Sequence, residues 1–521
     1  MLIFEWTILL LLGAVTLSGI ARRLGVPYPA FLALGGAAIA FLPSLPHLSL
    51  DPQLTLVLFV APVLLDAAYD TSLRDLKENW LPVGSLVIGA VAVTTIAVAV
   101  VAHLLVREMP WAAAIALGAI VAPPDAAAAV AVFRQVRLPH RLSVILEGES
   151  LLNDASALLI YRAAVAAVAA GTFSAPRVLP SFLVVVAGSV LAGWVLAWVI
   201  MRILRRVADT STSIVLQFIG TFGVWSLAEH AGLSGILTVV VFGIAVSRRA
   251  PILMPARLRI PSNAVWETVV FVLNVLAFLL IGLQLGPIWA RLSPSRHAEY
   301  AGVAVGVLLT TIAARFAWVM TCNAAIRMKV RRYGLRQPRP MLIPSVRSGL
   351  IVSWCGMRGI VTLAAALALP DGSHGPIFPC RDLILLCAFS VVVGTLVIQG
   401  FTLRPLLAVL HLLDDGPVER EFNYARTTAI EAAFAAMKDD ASPEAEAIRR
   451  ECQDALRHGA DAPEGQIPDR LAGDALRRRS VAASRKAIAE LRSKGEIGDD
   501  AFHRLEERLD WLELSAGGMD S

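Results

Sequence analysis

Long apolar blocks alternate with short charged connectors along the chain up to residue 413. A helix needs about 20 apolar residues to cross a bilayer. That ruler picks out thirteen segments, at approximately 3–21, 27–44, 52–69, 82–106, 111–133, 142–170, 178–201, 212–229, 232–247, 264–288, 299–326, 345–369 and 382–409. The second and ninth are short, as expected of tilted or partly re-entrant helices. After residue 413 the pattern changes to charged stretches with helical periodicity, such as EREFNYARTTAIEAAFAAM and AFHRLEERLDWLEL, separated by a Pro/Gly-rich break at 459–468. The pattern predicts an all-α polytopic membrane protein with about thirteen spanning helices in 1–413 and a helical tail in 414–521.

The basic residues give the chain a direction. Connectors after odd-numbered segments hold 21 Lys and Arg, and those after even-numbered segments hold 5. Lys and Arg collect on the cytoplasmic side of membrane proteins, so the N-terminus is expected outside and the tail in the cytoplasm. An odd number of spans is required for that arrangement.

Composition agrees with a membrane solvent. Apolar residues make up 57% of the 521 residues and charged ones 17%, with a mean hydropathy of +0.68; a soluble domain is nearer 45–50% apolar and about 25% charged. Residues 414–521 hold 24 acidic and 16 basic residues, net −8, whereas 1–413 is net +13. The basic balance therefore belongs to the membrane part and calls for no nucleic acid. The five cysteines, Cys322, Cys355, Cys380, Cys387 and Cys452, form no CxxC pair and read as small hydrophobes. The N-terminal run MLIFEWTILLLL has no basic residue before it and no cleavage-site pattern, so it reads as a first spanning helix, not a signal peptide.

Ionisable groups inside spanning helices are costly and mark function or specific pairing. Here they are Asp66 in the third segment, Asp125 in the fifth, Glu149 and Asp154 in the sixth, Glu267 near the start of the tenth, Arg315 in the eleventh and Arg358 in the twelfth. Arg162 and His103 lie nearer helix ends, where they can snorkel. In the fifth segment, GAIVAPPDAAAAVAVF, Pro123 and Pro124 remove two backbone donors in mid-span, which predicts an unwound break at Pro124 with Asp125 just beyond it. In the twelfth, Gly356 and Gly359 bracket Arg358 and predict a second break. If the seventh segment is a connector, each break is fifth in a run of six, and the two runs enter the membrane from opposite sides. Paired interrupted helices in inverted repeats mark the substrate site of a secondary transporter.

The sixth segment reads ILEGESLLNDASALLIYR. Ser150 lies four residues from Asp154 and three from Asn153, so these share one helix face, and their oxygens suit a hard cation. Glu149 points elsewhere and suits pairing with a buried arginine, Arg315 or Arg358; the spacing leaves both open. Glu267 is expected to pair with an arginine, and Asn274 to make an interhelical hydrogen bond.

At EGESLLNDASALL the chain resembles the monovalent cation/proton antiporters, the family of bacterial sodium/proton antiporters and animal sodium/hydrogen exchangers. The interrupted fifth segment, WETVVFVLNVLAFLLIGLQL in the tenth and WCGMRGIVTLAAALALP in the twelfth agree, and the resemblance covers essentially all of 1–413. It implies a homodimer with a dimerisation domain and a six-helix core carrying two crossed, unwound helices. It implies that Asp154 binds the ion beside Asn153, that Ser150 contacts the cation, and that Asp125 and Asp66 occupy the family's other acidic positions. An Asn–Asp pair, in place of Asp–Asp, implies electroneutral exchange of one cation for one proton. One position departs: the family commonly has Thr-Asp-Pro at the fifth-helix break, and this chain has Pro124-Asp125-Ala126.

No Walker motif or nucleophile cluster is present in the sequence, so neither ATP nor another cofactor is expected. The resulting expectation is a proton/sodium antiporter of the inner membrane serving pH and sodium homeostasis. Potassium/proton exchange is the alternative, and a cation channel a more distant one.

Overall fold

The computed structural model describes residues 2–41, 51–125, 138–170, 175–333, 344–371 and 376–411, together with scattered residues between 420 and 512. Every described element is a helix. In order they are α1 Leu2–Leu24, α2 Tyr28–Ile39, α3 Gln53–Asp70, α4 Trp80–Leu105, α5 Trp111–Val121, α6 His140–Ala170, α7 Ala175–Leu204, α8 Thr210–His230, α9 Gly235–Ser247, α10 Ala256–Leu283, α11 His297–Tyr333, α12 Val346–Trp354, α13 Ile360–Leu367 and α14 Arg381–Leu410. Eight stretches of the described residues are long and apolar enough to span a membrane, and three shorter apolar helices, α2, α5 and α9, lie among them.

Local chemistry sets the ends. α1 stops where Gly25 turns left-handed (φ +66°), and Pro27 precedes α2 in extended backbone. Asp209 caps α8 by accepting from the Thr212 N–H at 2.8 Å; that bond holds its exposed carboxyl below the ordinary carboxylate range. Ser234 and Ser345 cap α9 and α12 in the same way. Between α3 and α4, a short helix at Leu73–Glu78 is tied to the start of α6. There His140 Nε2 lies 3.2 Å from Asp75 Oδ2, and Arg141 Nε donates to Asn79 Oδ1 at 3.0 Å.

Four helices differ from the sequence expectation. α10 begins near residue 256 instead of 264 and runs through Pro261; the proline and Arg257 and Arg259 masked its first turns. α11 has 37 residues, a length of about 55 Å at 1.5 Å per residue, so it outruns a hydrocarbon core of about 30 Å. The third and fourth segments each contain a wide π turn, at Leu56–Val60 and Ser85–Ala90. A π turn leaves backbone carbonyls without helical partners. In α4 those of Ser85 and Val87 accept from Trp318 Nε1 at 3.1 Å and Ser156 Oγ at 2.8 Å, which fastens α4 to α11 and α6.

The buried apolar core gathers residues of α2, α4, α5, α6, α10 to α14. A second cluster joins α3, α7, α8 and α9, and Leu151 of α6 is packed into it. Outward faces carry large apolar side chains such as Leu12, Ile88, Val184, Trp194 and Leu309, as expected where lipid, not water, is the solvent. Residues 1–413 and 414–521 form two compact units. In the second unit Glu446 pairs with Arg449 and Arg450 at 3.6 and 3.5 Å, the spacing of one helix face; the expected break at 459–468 lies outside the described residues.

Candidate functional site

Two helices stop in mid-span and meet. α5 ends at Val121, just before Pro123 and Pro124, and the residues beyond Asp125 to 137 lie outside the described ones. The twelfth segment unwinds between Trp354 and Ile360. The two unwound strands are joined by the Asp125 N–H, which donates to the Met357 carbonyl at 2.7 Å.

The carbonyls released at the breaks are gathered by Arg358, which is fully buried. Its Nε donates to Val121 O at 3.0 Å, its Nη2 to Ala122 O at 3.1 Å, and its Nη1 to Gly356 O. Its own N–H donates to Thr395 Oγ1 on α14 at 3.0 Å. Arg358 therefore serves the C-terminal ends of two half-helices, where the helix dipole favours a cation. Of the two arginines left open as partners of Glu149, Arg358 is not the one used: its side-chain hydrogen bonds among the described residues go to carbonyls. Gly359 is dictated by close approach, since a Cβ there would collide with the Asp125 carboxylate. A Cβ on Gly356 would press on Arg315 Cδ at 2.6 Å and Arg358 Nη1 at 2.9 Å.

α6 passes beside this crossing. Glu149, 1% exposed, receives a two-pronged contact from Arg315 of α11, Nη1 to Oε1 at 2.5 Å and Nη2 to Oε2 at 2.9 Å. The partner that spacing left open is thus Arg315. Arg315 Nη2 also donates to Val352 O at 2.9 Å, so the pair ties α6 and α11 to the end of α12. Such a fork is the strong form of a carboxylate contact.

Asn153 follows on α6, fully buried. Its Nδ2 donates to the Pro124 carbonyl at 3.0 Å, while its Oδ1 has no donor among the described residues. Asp154 is 6% exposed, and no hydrogen bond or ion pair among the described residues reaches its carboxylate. Its charged neighbour is another acid, Asp125. Ser150, also buried, lies one turn earlier. Thus Asn153, Pro124, Asp125, Arg358 and Gly356 are brought to the crossing, with Ser150 and Asp154 on the helix beside it.

Two more of the acids singled out in the sequence lie on the wall of a cavity of about 920 Å³. Asp66 of α3 is half-buried there, and Glu267 of α10 is exposed. Glu267 makes no ion pair among the described residues, a correction to the expected arginine contact: its side chain is exposed on the cavity wall. Asn274, read as an interhelical hydrogen bonder, lines the same wall. The cavity includes Arg22 at the end of α1, Asp70 at the end of α3, Leu204 at the end of α7, Val246 near the end of α9 and Arg259 at the start of α10. These are the helix ends that carry the arginine-rich connectors. One wall residue was missed in the sequence, Glu147 of α6. Its signal was there: it precedes Asp154 by seven residues, a helical repeat.

Comparison with known proteins places the chain. Residues 8–409 match the family described as sodium/hydrogen exchanger, transmembrane. The chain is 30% identical over 97% of its length to the sodium, potassium, lithium and rubidium/H(+) antiporter of Bacillus pumilus (strain SAFR-032), covering 77% of that protein. It is 31% identical over 98% of its length to the Na(+)/H(+) exchanger YjcE of Escherichia coli (strain K12), covering 98% of it. In fold it is similar to the sodium proton antiporter MjNhaP1 from Methanocaldococcus jannaschii, with a TM-score of 0.61 at 18% identity over 78% of this chain and 99% of that one. With the family match running from residue 8 to residue 409, the chain belongs to the sodium/hydrogen exchanger family of cation/proton antiporters.

Proposed function

We propose that this antiporter loads both substrates at Asp154, a proton and a sodium ion in turn. The observation that carries the reading is a buried aspartate whose carboxylate has no fixed cation or donor against it among the described residues, beside an Asn153 oxygen that has no donor among them either. A buried carboxylate is stable only with a positive partner. Proton and sodium both qualify, and one excludes the other. Asn153 Oδ1 and Ser150 supply further hard oxygens for an alkali ion, and Asp125 adds negative potential from the crossing. Glu149–Arg315 and Arg358 hold the frame in which Asp154 sits.

One carboxylate taking one charge at a time gives electroneutral exchange. Alternating access follows from displacing the helices around the crossing against the rest of the membrane part, in a homodimer of the inner membrane with its N-terminus outside and residues 414–521 in the cytoplasm. The arginine bias of the connectors supports that orientation. Domain 1–413 transports and catalyses no covalent step. A second reading, exchange of potassium as well as sodium, is favoured by the ions for which the Bacillus pumilus relative is named; oxygen ligands alone do not fix ion size.

The test is proteoliposome exchange followed by dequenching of a pH dye on addition of sodium, lithium, potassium or rubidium. D154N should abolish every response while the protein still reaches the membrane. A D154N variant that still dissipates a pH gradient on sodium addition overturns the assignment.

A further inference from the structure

The cavity and the buried acid are separate places along α6, and Glu147 is the residue of that helix that lines the cavity. Glu147, Ser150 and Asp154 follow one another at spacings of three and four, so they share a face of the helix. Seven residues of rise place Glu147 about 10 Å nearer the arginine-rich end than Asp154. Glu147 is half-buried and lines the cavity, whereas Asp154 is not part of its lining. The Ser143 hydroxyl, one turn earlier, donates to Glu147 Oε1 at 2.6 Å and fixes the carboxylate toward the wall. No arginine or lysine pairs with it among the described residues. Of the cations on the wall, Arg22 instead stacks over Phe271 at 5.0 Å.

We propose that Glu147 is a cation-recruiting residue of the transport path, which takes the alkali ion from the cavity and passes it along α6, by way of Ser150, to Asp154. This rests on the reading of Asp154 as the exchange site. A fixed negative charge in a cleft with low-dielectric walls raises the local cation concentration. It therefore lowers the sodium concentration needed to load Asp154 without entering the exchange step itself. The effect is one-sided, because Glu147 lies on the path to only one face.

The experiment measures sodium dependence of pH-dye dequenching in everted and right-side-out membrane vesicles carrying wild type, E147Q, E147D or D154N. In E147Q, sodium offered at the arginine-rich face should need about tenfold higher concentration for half-maximal exchange. That is the order expected of one unit charge about 10 Å away at an effective dielectric constant of about 20. The maximal rate, and the half-maximal concentration from the opposite face, should stay as in wild type. E147D, which keeps the charge, should remain close to wild type. An unchanged half-maximal concentration in E147Q overturns the proposal. So does an E147Q whose maximal rate falls equally from both faces, since that marks Glu147 as a structural partner of Ser143 only. A D154N variant that still exchanges sinks the reading beneath it, an outcome distinct from an inactive D154N beside an unaffected E147Q.

Discussion

At the residue scale, the site is a problem of buried charge. Glu149 and Arg315 are each 1% exposed and answer one another. Removing one partner of such a pair leaves a buried charge alone and costs about 3–5 kcal/mol, whereas removing both is far less harmful. E149Q should therefore lower the thermal stability of the detergent-solubilised protein sharply. E149Q combined with R315Q should recover a large part of the loss in a double-mutant cycle. Equal and additive losses would mean that the pair is not a unit. The sequence named both residues, because charged groups in apolar runs stand out. It could not pair them, since 166 positions separate Glu149 from Arg315 and only the packing of α6 against α11 joins them. Arg358 shows the same limit: its carbonyl partners exist only because α5 and α12 break at the same place, and no spacing rule encodes that coincidence. Glu147 is the converse case, legible by its register with Asp154 but given meaning only by a cavity built from seven other helices.

At the scale of elements, small residues decide which helices touch. α2 and α10 approach so closely that a Cβ on Gly282 would meet the Ala33 carbonyl, the Ala37 nitrogen at 2.6 Å and Gly36 Cα at 2.8 Å. These are backbone atoms that cannot swing aside, and small residues are how helices in lipid gain close van der Waals contact. G282A should destabilise the protein by about 1–3 kcal/mol, the usual range for overpacking, read as a lower unfolding temperature. G302A, where a Cβ meets nothing within 4 Å, is the control and should be neutral or slightly stabilising. Equal behaviour of the two variants would refute the close approach. Hydrophobic runs located the helices, the Pro123–Pro124 pair one break and the glycines around Arg358 the other, because lipid demands continuous apolar length, proline removes donors and glycine weakens a helix. The π turns in α3 and α4 were not legible. Their sequences, LVLFV and SLVIGA, are ordinary apolar runs, and the partners that accept the wide geometry, Trp318 and Ser156, lie on other helices.

At the scale of the whole molecule, the question is how much charge moves per cycle. Among the described residues no fixed cation stands against Asp154, so under the proposed function its carboxylate would travel neutralised, by a proton or by a sodium ion. The other buried charges are held in place, Glu149 by Arg315 and Arg358 by the ends of α5 and α12. If those charges move with Asp154, they move identically on the forward and return strokes and contribute nothing to net transfer. One elementary charge crossing the membrane is worth about 2.3 kcal/mol per 100 mV. A cycle that carried one net charge would therefore shift the sodium gradient at equilibrium about fifty-fold per 100 mV. Electroneutral exchange predicts no shift. In potassium-free proteoliposomes whose potential is set by a gradient of a permeant anion such as thiocyanate, the sodium ratio at which pH-dye dequenching ceases should be the same at zero potential and at about −100 mV, and should track the proton ratio one to one. A displacement of the null point with potential would mean that a second charge travels with the site, and Asp125, the acid beside Asp154 at the crossing, would then be the residue to neutralise next.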